Sequence, residues 1–259
     1  MPLIICEIII GILVFFTGAC VFSFLNVIVY RLPQKLSFVK GSSFCPSCHH
    51  KLGTLDLFPI FSYLFLRGKC RYCKAHIPVR DTIVEIIGGG LALFCAWQSP
   101  QTWYLAALTA FAFYAVLAVV TLLDWDTMEI ADGCHIAIAA LAVISYFTMP
   151  GVSIVDRLIG AVCVSVPMLL LALLISGAFG GGDIKLMAAC GLFLGWKVTL
   201  ISTAIGILLG GFYGILLLIR RKAGRKSHFA FGPFLCVGMA IGLPYGQQLI
   251  DWYLSIFFI

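Results

Sequence analysis

The chain has 259 residues, 62% of them apolar and only 11% charged, against about 45–50% and about 25% in soluble domains. That excess excludes an ordinary water-soluble domain and implies a bilayer, because each spanning helix consumes about 20 mostly apolar residues. The net charge of +6 does not indicate nucleic acid, since nine of the 17 basic residues fall between Arg31 and Arg80 and five between Arg220 and Lys226. Basic clusters in short loops between apolar runs mark the cytoplasmic side of a membrane protein and also attract anionic headgroups.

The first apolar run covers 3–30 and stops at Arg31 and Pro33. It carries Glu7, with no basic stretch before it and no small-residue cleavage site, so it reads as a retained helix rather than a secretory signal. A polar segment, 31–81, follows. Further apolar runs cover 82–97, 103–123, 134–149, 158–179, 184–196, 198–219 and 229–259. With the 31–81 loop in the cytoplasm, alternation returns the 220–226 loop to the same side, together with the turns 124–132 and 180–183. The expected fold is an all-α polytopic bundle of about eight transmembrane helices. It divides into a first helix (1–30), a small cytoplasmic zinc-binding loop domain (31–81) and a helical bundle (82–259).

Within the polar segment lie Cys45-Pro-Ser-Cys48 and Cys70-Arg-Tyr-Cys73, 21 residues apart. Two such pairs match the spacing of a structural zinc site with four thiolates. The alternative, two disulfides, suits a reducing cytoplasm less well. His49, His50 and His76 read as solvated neighbours of an already complete ligand set. Cys6, Cys20, Cys95, Cys134, Cys163, Cys190 and Cys236 lie in apolar runs and read as small buried hydrophobes.

Ionisable groups are costly at membrane depth, so those at helix ends are candidates for function. Asp124 closes the third run and Asp183 opens the sixth, after Gly180, Gly181 and Gly182. A carboxylate pair can hydrolyse a peptide bond, one member activating water while the other protonates the departing side. Glycines beside the pair allow close backbone approach and positive φ. The competing readings are a flexible interhelical turn and an aspartate that only caps its helix. Asp132, ahead of the fourth run, reads as an N-cap, and Asp126 and Glu129 read as solvated. Asp156 and Asp251 fall on the opposite membrane face. The helix dipoles suggest that Asp124, at a C-terminus, holds a proton and that Asp183, at an N-terminus, is the base.

These residues resemble the type IV prepilin leader peptidases (leader peptidase/N-methyltransferases). The resemblance rests on Ser23-Phe24-Leu25-Asn26-Val27 with Tyr30-Arg31-Leu32-Pro33, and on Ser62-Tyr63-Leu64 through Leu66-Arg67-Gly68-Lys69-Cys70-Arg71-Tyr72-Cys73. Arg80 and Glu85 match the loop's ending, and Gly180-Gly181-Gly182-Asp183 resembles the Gly-x-Gly-Asp signature of intramembrane aspartic proteases. The resemblance implies Asp124 and Asp183 as catalytic pair and a prepilin or pseudopilin substrate cut after a short basic leader at the cytoplasmic face. It also implies N-methylation of the new terminus with S-adenosylmethionine, in a bacterial inner membrane. The chain departs from the family where Ile130-Ala131-Asp132 stands in place of Leu-Pro-Asp, and it has no Gly-x-Gly-x-x-Gly methyl-donor loop. The rival classes are an ion-coupled transporter, which would place its charges near the midplane of paired repeats, and a zinc-bearing assembly scaffold with expendable aspartates.

Overall fold

The computed structural model of the chain describes residues 2–37, 41–98, 104–175, 179–220 and 229–257; most of the basic run at 220–226 lies outside the described residues. The chain divides into two compact units, Met1–Phe111 and Ala112–Ile259. Among the described residues every regular element is helical, with β pairing confined to two isolated bridges, Phe44–Lys51 and Lys69–His76.

The first unit contains α1 (Pro2–Arg31), the short α2 (Phe61–Phe65), α3 (Val79–Gln98) and the start of α4 (Tyr104–Thr127). Small residues let α1 and α3 approach closely: a Cβ on Gly18 would strike Ala92 and the backbone of Gly88, and Gly88 itself leaves room for Phe22. Such contacts replace the hydrophobic drive that is absent between helices in lipid. At the end of the pair Asn26 donates to the Asp81 carbonyl (3.2 Å), and Arg31 donates to the carbonyls of Ser37 (2.8 Å) and Ser42 (3.0 Å).

The second unit holds the rest of α4, then α5 (Asp132–Thr148), α6 (Ile154–Cys163), α7 (Ser165–Leu174), α8 (Gly181–Leu194), α9 (Trp196–Ile219) and α10 (Gly232–Phe257). The apolar run expected as one helix from 158 is divided at Val164. Pro167 explains the break, because it offers no N–H to the Cys163 carbonyl and its ring crowds that turn. Pro244 in α10 likewise leaves the Ala240 carbonyl without an intrahelical donor, and the Tyr114 hydroxyl donates to it at 3.1 Å. Among the described residues, four segments are long and apolar enough to cross a membrane: Ile4–Arg31, Tyr104–Thr127, Ile154–Leu174 and Trp196–Ile219. The chain is therefore an all-helical membrane protein.

α8 is the core of this unit, with Leu186, Met187 and Cys190 fully buried. Its Gly191 meets the backbone of Gly160 in α6 so closely that a Cβ on either would overlap the other's carbonyl. It stops at Gly195, whose φ of +78° suits glycine. Arg157, beside Asp156 in the chain, is buried there. Its guanidinium donates to the Leu192 (3.0 Å), Phe193 (3.1 Å) and Ala142 (3.2 Å) carbonyls and to the Ser145 hydroxyl (2.7 Å). A cation on the unsatisfied carbonyls of a helix end is favourable.

Three expectations need correction. Cys6 and Cys20 are exposed on α1 and Cys163 is half-buried, whereas Cys95, Cys134, Cys190 and Cys236 are buried. Asp132 is not an N-cap, because Ala131 holds that position with extended backbone and Asp132 is the first helical residue. Gly180 has φ −72° and none of the three glycines before Asp183 uses positive φ. Arg157→Met keeps the apolar stem but removes every donor, leaving buried carbonyls unpaired at about 1–3 kcal/mol each. Thermal unfolding in detergent should show a clear loss of stability, and an unchanged midpoint would remove Arg157 from this role.

Candidate active site and metal centre

The two cysteine pairs sit on matching turns. In the first, Cys45 N–H donates to the His50 carbonyl (3.0 Å) and His49 N–H to the Cys45 carbonyl (2.8 Å); in the second, Cys70 N–H donates to Ala75 (2.8 Å) and Lys74 N–H to Cys70 (3.0 Å). His49 and Lys74 occupy the same left-handed position, at φ +56° and +61°. The four sulfurs of Cys45, Cys48, Cys70 and Cys73 all lie within 4.8 Å of one another, and the Cys45 and Cys73 sulfurs are 3.8 Å apart. Tetrahedral zinc with bonds of about 2.3 Å separates its sulfurs by nearly the same amount, so the cluster can hold a metal such as zinc. Hydrogen bonds from the backbone N–H groups of Cys48 and Ser47 hold the Cys45 thiol down at about 6. The Ala75 N–H favours the Cys73 thiolate too, but burial and the neighbouring sulfurs outweigh it and push that thiol up to about 11. A bound cation would offset this crowding of thiolates. The histidines lie outside the cluster; the His50 ring packs against Tyr72 at 3.6 Å. Arg71, between Cys70 and Cys73, pairs with Asp56 at 2.7 Å.

The second unit brings the two expected aspartates together. Asp124 lies in the last turn of α4 and is buried, and its Oδ2 accepts a hydrogen bond from the Gly232 N–H at 2.9 Å. Asp183 lies in the first turn of α8, half-buried. A Cβ placed on Gly232 would stand 2.6 Å from Asp124 Oδ2 and 3.4 Å from Asp183 Oδ1. Both carboxylates therefore face one point at the start of α10. The dipole argument for unequal aspartates loses its asymmetry here. Asp124 ends α4 but also meets the N-terminus of α10, just as Asp183 sits at that of α8.

The start of α5 clamps the loop ahead of Asp183. His135 is buried, with Nε2 3.1 Å from the Gly182 carbonyl; a carbonyl can only accept, so Nε2 carries the hydrogen. Nδ1 faces Asp132 Oδ1 at 3.6 Å, and that oxygen accepts from Lys185 Nζ at 2.8 Å. The Lys185 ammonium, by hydrogen bond and by charge, holds the Asp132 carboxyl below its ordinary range. A Cβ on Gly182 would lie 3.2 Å from the Ile130 Cβ, whereas one on Gly181 would meet nothing within 4 Å. The loop is thus packed at Gly182 and open at Gly181. Asp126 and Glu129 are exposed. Asp156 lies instead at the start of α6, bonded to Ser153 and Trp196.

Sequence reasoning missed Gly232, His135 and Lys185. Gly232 precedes Pro233 at the start of an apolar run, which marks a helix N-terminus but not the carboxylate it meets. A single histidine in an apolar run gives no sign of the carbonyl it holds.

Residues 16–99 match the family model for the bacterial peptidase A24 N-terminal domain, and 111–215 match that for the type IV leader peptidase family. Prepilin leader peptidase/N-methyltransferases from Aeromonas hydrophila and Pseudomonas aeruginosa are each 30% identical to the chain. The alignments cover 95% and 97% of this chain and 94% and 93% of those proteins. The protein of that name from Bacillus subtilis is 28% identical over 94% of this chain and 97% of its own length. No solved structure matches. The fold and these matches define a membrane-bound peptidase. The chain belongs to the type IV leader peptidase family.

Gly232→Ala should put a methyl group against the buried, hydrogen-bonded Asp124 carboxylate and displace it. Peptidase activity should fall by at least about 100-fold, the scale set by an ångström-sized misplacement, with the folded protein retained in detergent. Activity within a few-fold of the parent would show that the 232 position does not set the aspartate geometry.

Proposed function

We propose that the chain removes the leader of type IV prepilins or pseudopilins, using Asp124 and Asp183 as an aspartic catalytic pair. The convergence of both carboxylates on Gly232 carries this reading. In the proposed reaction one carboxylate takes a proton from water, whose oxygen attacks the scissile carbonyl carbon. The other, protonated, carboxyl donates to the carbonyl oxygen. Collapse of the tetrahedral intermediate breaks the C–N bond as a proton passes to the departing amine. The open side of the loop at Gly181, beside Gly180 and Gly182, leaves space for an extended substrate backbone to approach.

The same reading takes α1, α3, α4, α5, the broken pair α6–α7, α8, α9 and α10 as eight crossings of a bacterial inner membrane. The 31–81 zinc loop and the aspartates face the cytoplasm. Trp125, exposed beside Asp124 and in ring contact with Tyr213, supports an interfacial depth for the site, since such residues favour the headgroup level. A transporter would hold its carboxylates near the midplane instead. Asp124→Asn and Asp183→Asn should each cut prepilin cleavage by about 10⁴-fold or more, and the double variant should lose little further, because groups acting as a unit are non-additive. Appreciable cleavage by either single variant would remove that residue from the pair.

Cys45, Cys48, Cys70 and Cys73 would hold zinc, which supplies no chemistry to the cleavage but fixes the fold of its loop. Elemental analysis of purified protein should find one zinc per chain, lost with loosening of the loop in Cys45→Ser. Less than half an equivalent in the parent would retire the site. By the relatives' names the chain also N-methylates the processed terminus, with S-adenosylmethionine as donor; no residue is assigned to that donor. Transfer of labelled methyl to an already processed pilin should survive in Asp124→Asn, and no transfer by the parent would exclude this second activity.

A further inference from the structure

We infer that Leu57–Leu66 is a re-entrant segment of the membrane domain, with its apolar face in contact with lipid acyl chains rather than with water. The stretch runs Leu-Phe-Pro-Ile-Phe-Ser-Tyr-Leu-Phe-Leu without a charge, between Asp56 and Arg67. Apolar stretches of about 10–14 residues are too short to span and suit re-entrant or interfacial placement. Its large side chains point outward: Phe65 is 83% exposed and Leu64 61%, with Phe58, Leu57 and Phe61 exposed as well. In a water-filled loop this surface would be costly.

Its depth follows from α1. The Phe16 ring stacks on Phe61 (centroids 5.4 Å apart) and meets Phe58 (6.2 Å). The spanning segment of α1 is Ile4–Arg31, and every placement that puts about 20 consecutive residues of it in hydrocarbon includes Phe16. Phe16 also lies about 22 Å along the axis from Arg31. Residues that pack against Phe16 therefore lie at the level of the hydrocarbon.

The backbone meets the demand that this level imposes. Non-helical chain is tolerated there only where its polar groups find partners. Ile60, at a φ of +66°, donates its N–H to Glu85 Oε2 on α3 at 2.8 Å. Phe61 donates to the Pro59 carbonyl (2.6 Å), Ser62 to Phe58 (3.0 Å), Leu64 to Ile60 (3.1 Å) and Leu66 to Ser62 (3.0 Å). Glu85, costly as a charge at this depth, gains a function as the acceptor that fixes the turn. The neck is closed as well. Cys45 and Cys48 lie before the segment, Cys70 and Cys73 after it, and the Arg71–Asp56 pair ties its two ends at 2.7 Å. A segment that enters and leaves one leaflet needs its ends held together, and the facing cysteine turns and the Arg71–Asp56 pair do this.

Photocrosslinking tests the placement. The full-length protein carrying Phe65→p-benzoylphenylalanine is reconstituted in phosphatidylethanolamine–phosphatidylglycerol vesicles and irradiated, and its intact mass is measured. Leu64→p-benzoylphenylalanine serves as a second probe should the first disturb the fold, and His76→p-benzoylphenylalanine, exposed on the second cysteine turn, as the control. The expected result is a gain of one phospholipid mass at 65 or 64 and none at 76. No lipid adduct at either apolar position, adducts only to another protein chain, or equal lipid adducts at 76 would each overturn the inference.

Discussion

The hydrogen bond from the Gly232 amide to the Asp124 carboxylate is the contact on which the second unit's arrangement turns. A buried carboxylate at the C-terminal end of a helix meets that helix's own unsatisfied carbonyls and needs donors from elsewhere. The N-terminus of α10 offers one at 2.9 Å, and it can come so close only because residue 232 has no side chain. The contact therefore joins the last turn of α4 to the first turn of α10. The first turn of α8 adds Asp183 to the same point. A carboxylate pair at the meeting of three helix ends follows from where backbone donors are free.

Precision at that point depends on α8 being held at both ends. At its start the His135 imidazole grips the Gly182 carbonyl and the Asp132–Lys185 pair crosses from α5, while Ile130 packs on Gly182. At its end Arg157 gathers the last carbonyls, and Gly191 lies against Gly160. Apart from the Ile130 side chain, none of these contacts uses hydrophobic burial as its driving force. They are hydrogen bonds and close backbone packing, the interactions that remain effective between helices surrounded by lipid.

Much of this was legible in the residues. Apolar run length gave an all-helical membrane protein with, among the described residues, four segments long enough to span, because a bilayer imposes a length that soluble cores do not. The Cys45–Cys48 and Cys70–Cys73 spacing gave the four-cysteine cluster, because each turn presents two sulfurs side by side and the intervening chain can close one pair onto the other. What was not legible depends on tertiary contact. Nothing in the sequence pairs Arg157 with the end of α8. Asp132 reads as a cap, whereas Ala131 holds that position and Asp132 pairs with Lys185. The Leu57–Leu66 stretch reads as part of a polar loop because its flanks are charged, and only its contact with Phe16 reveals its depth. Glycines at 180–182 suggested unusual backbone, whereas their use is packing at 182 and an open side at 181.

The central claim is that Asp124 and Asp183 together recognise the tetrahedral centre of peptide hydrolysis. Binding of a prepilin leader peptide with a hydroxyethylene group in place of the scissile amide tests this most directly, because such mimics gain affinity only from groups that act on the transition state. The parent protein should bind the mimic at least about 100-fold more tightly than the uncleavable ground-state peptide, and both Asp124→Asn and Asp183→Asn should lose that preference. A preference that survives unchanged in either variant would contradict the account.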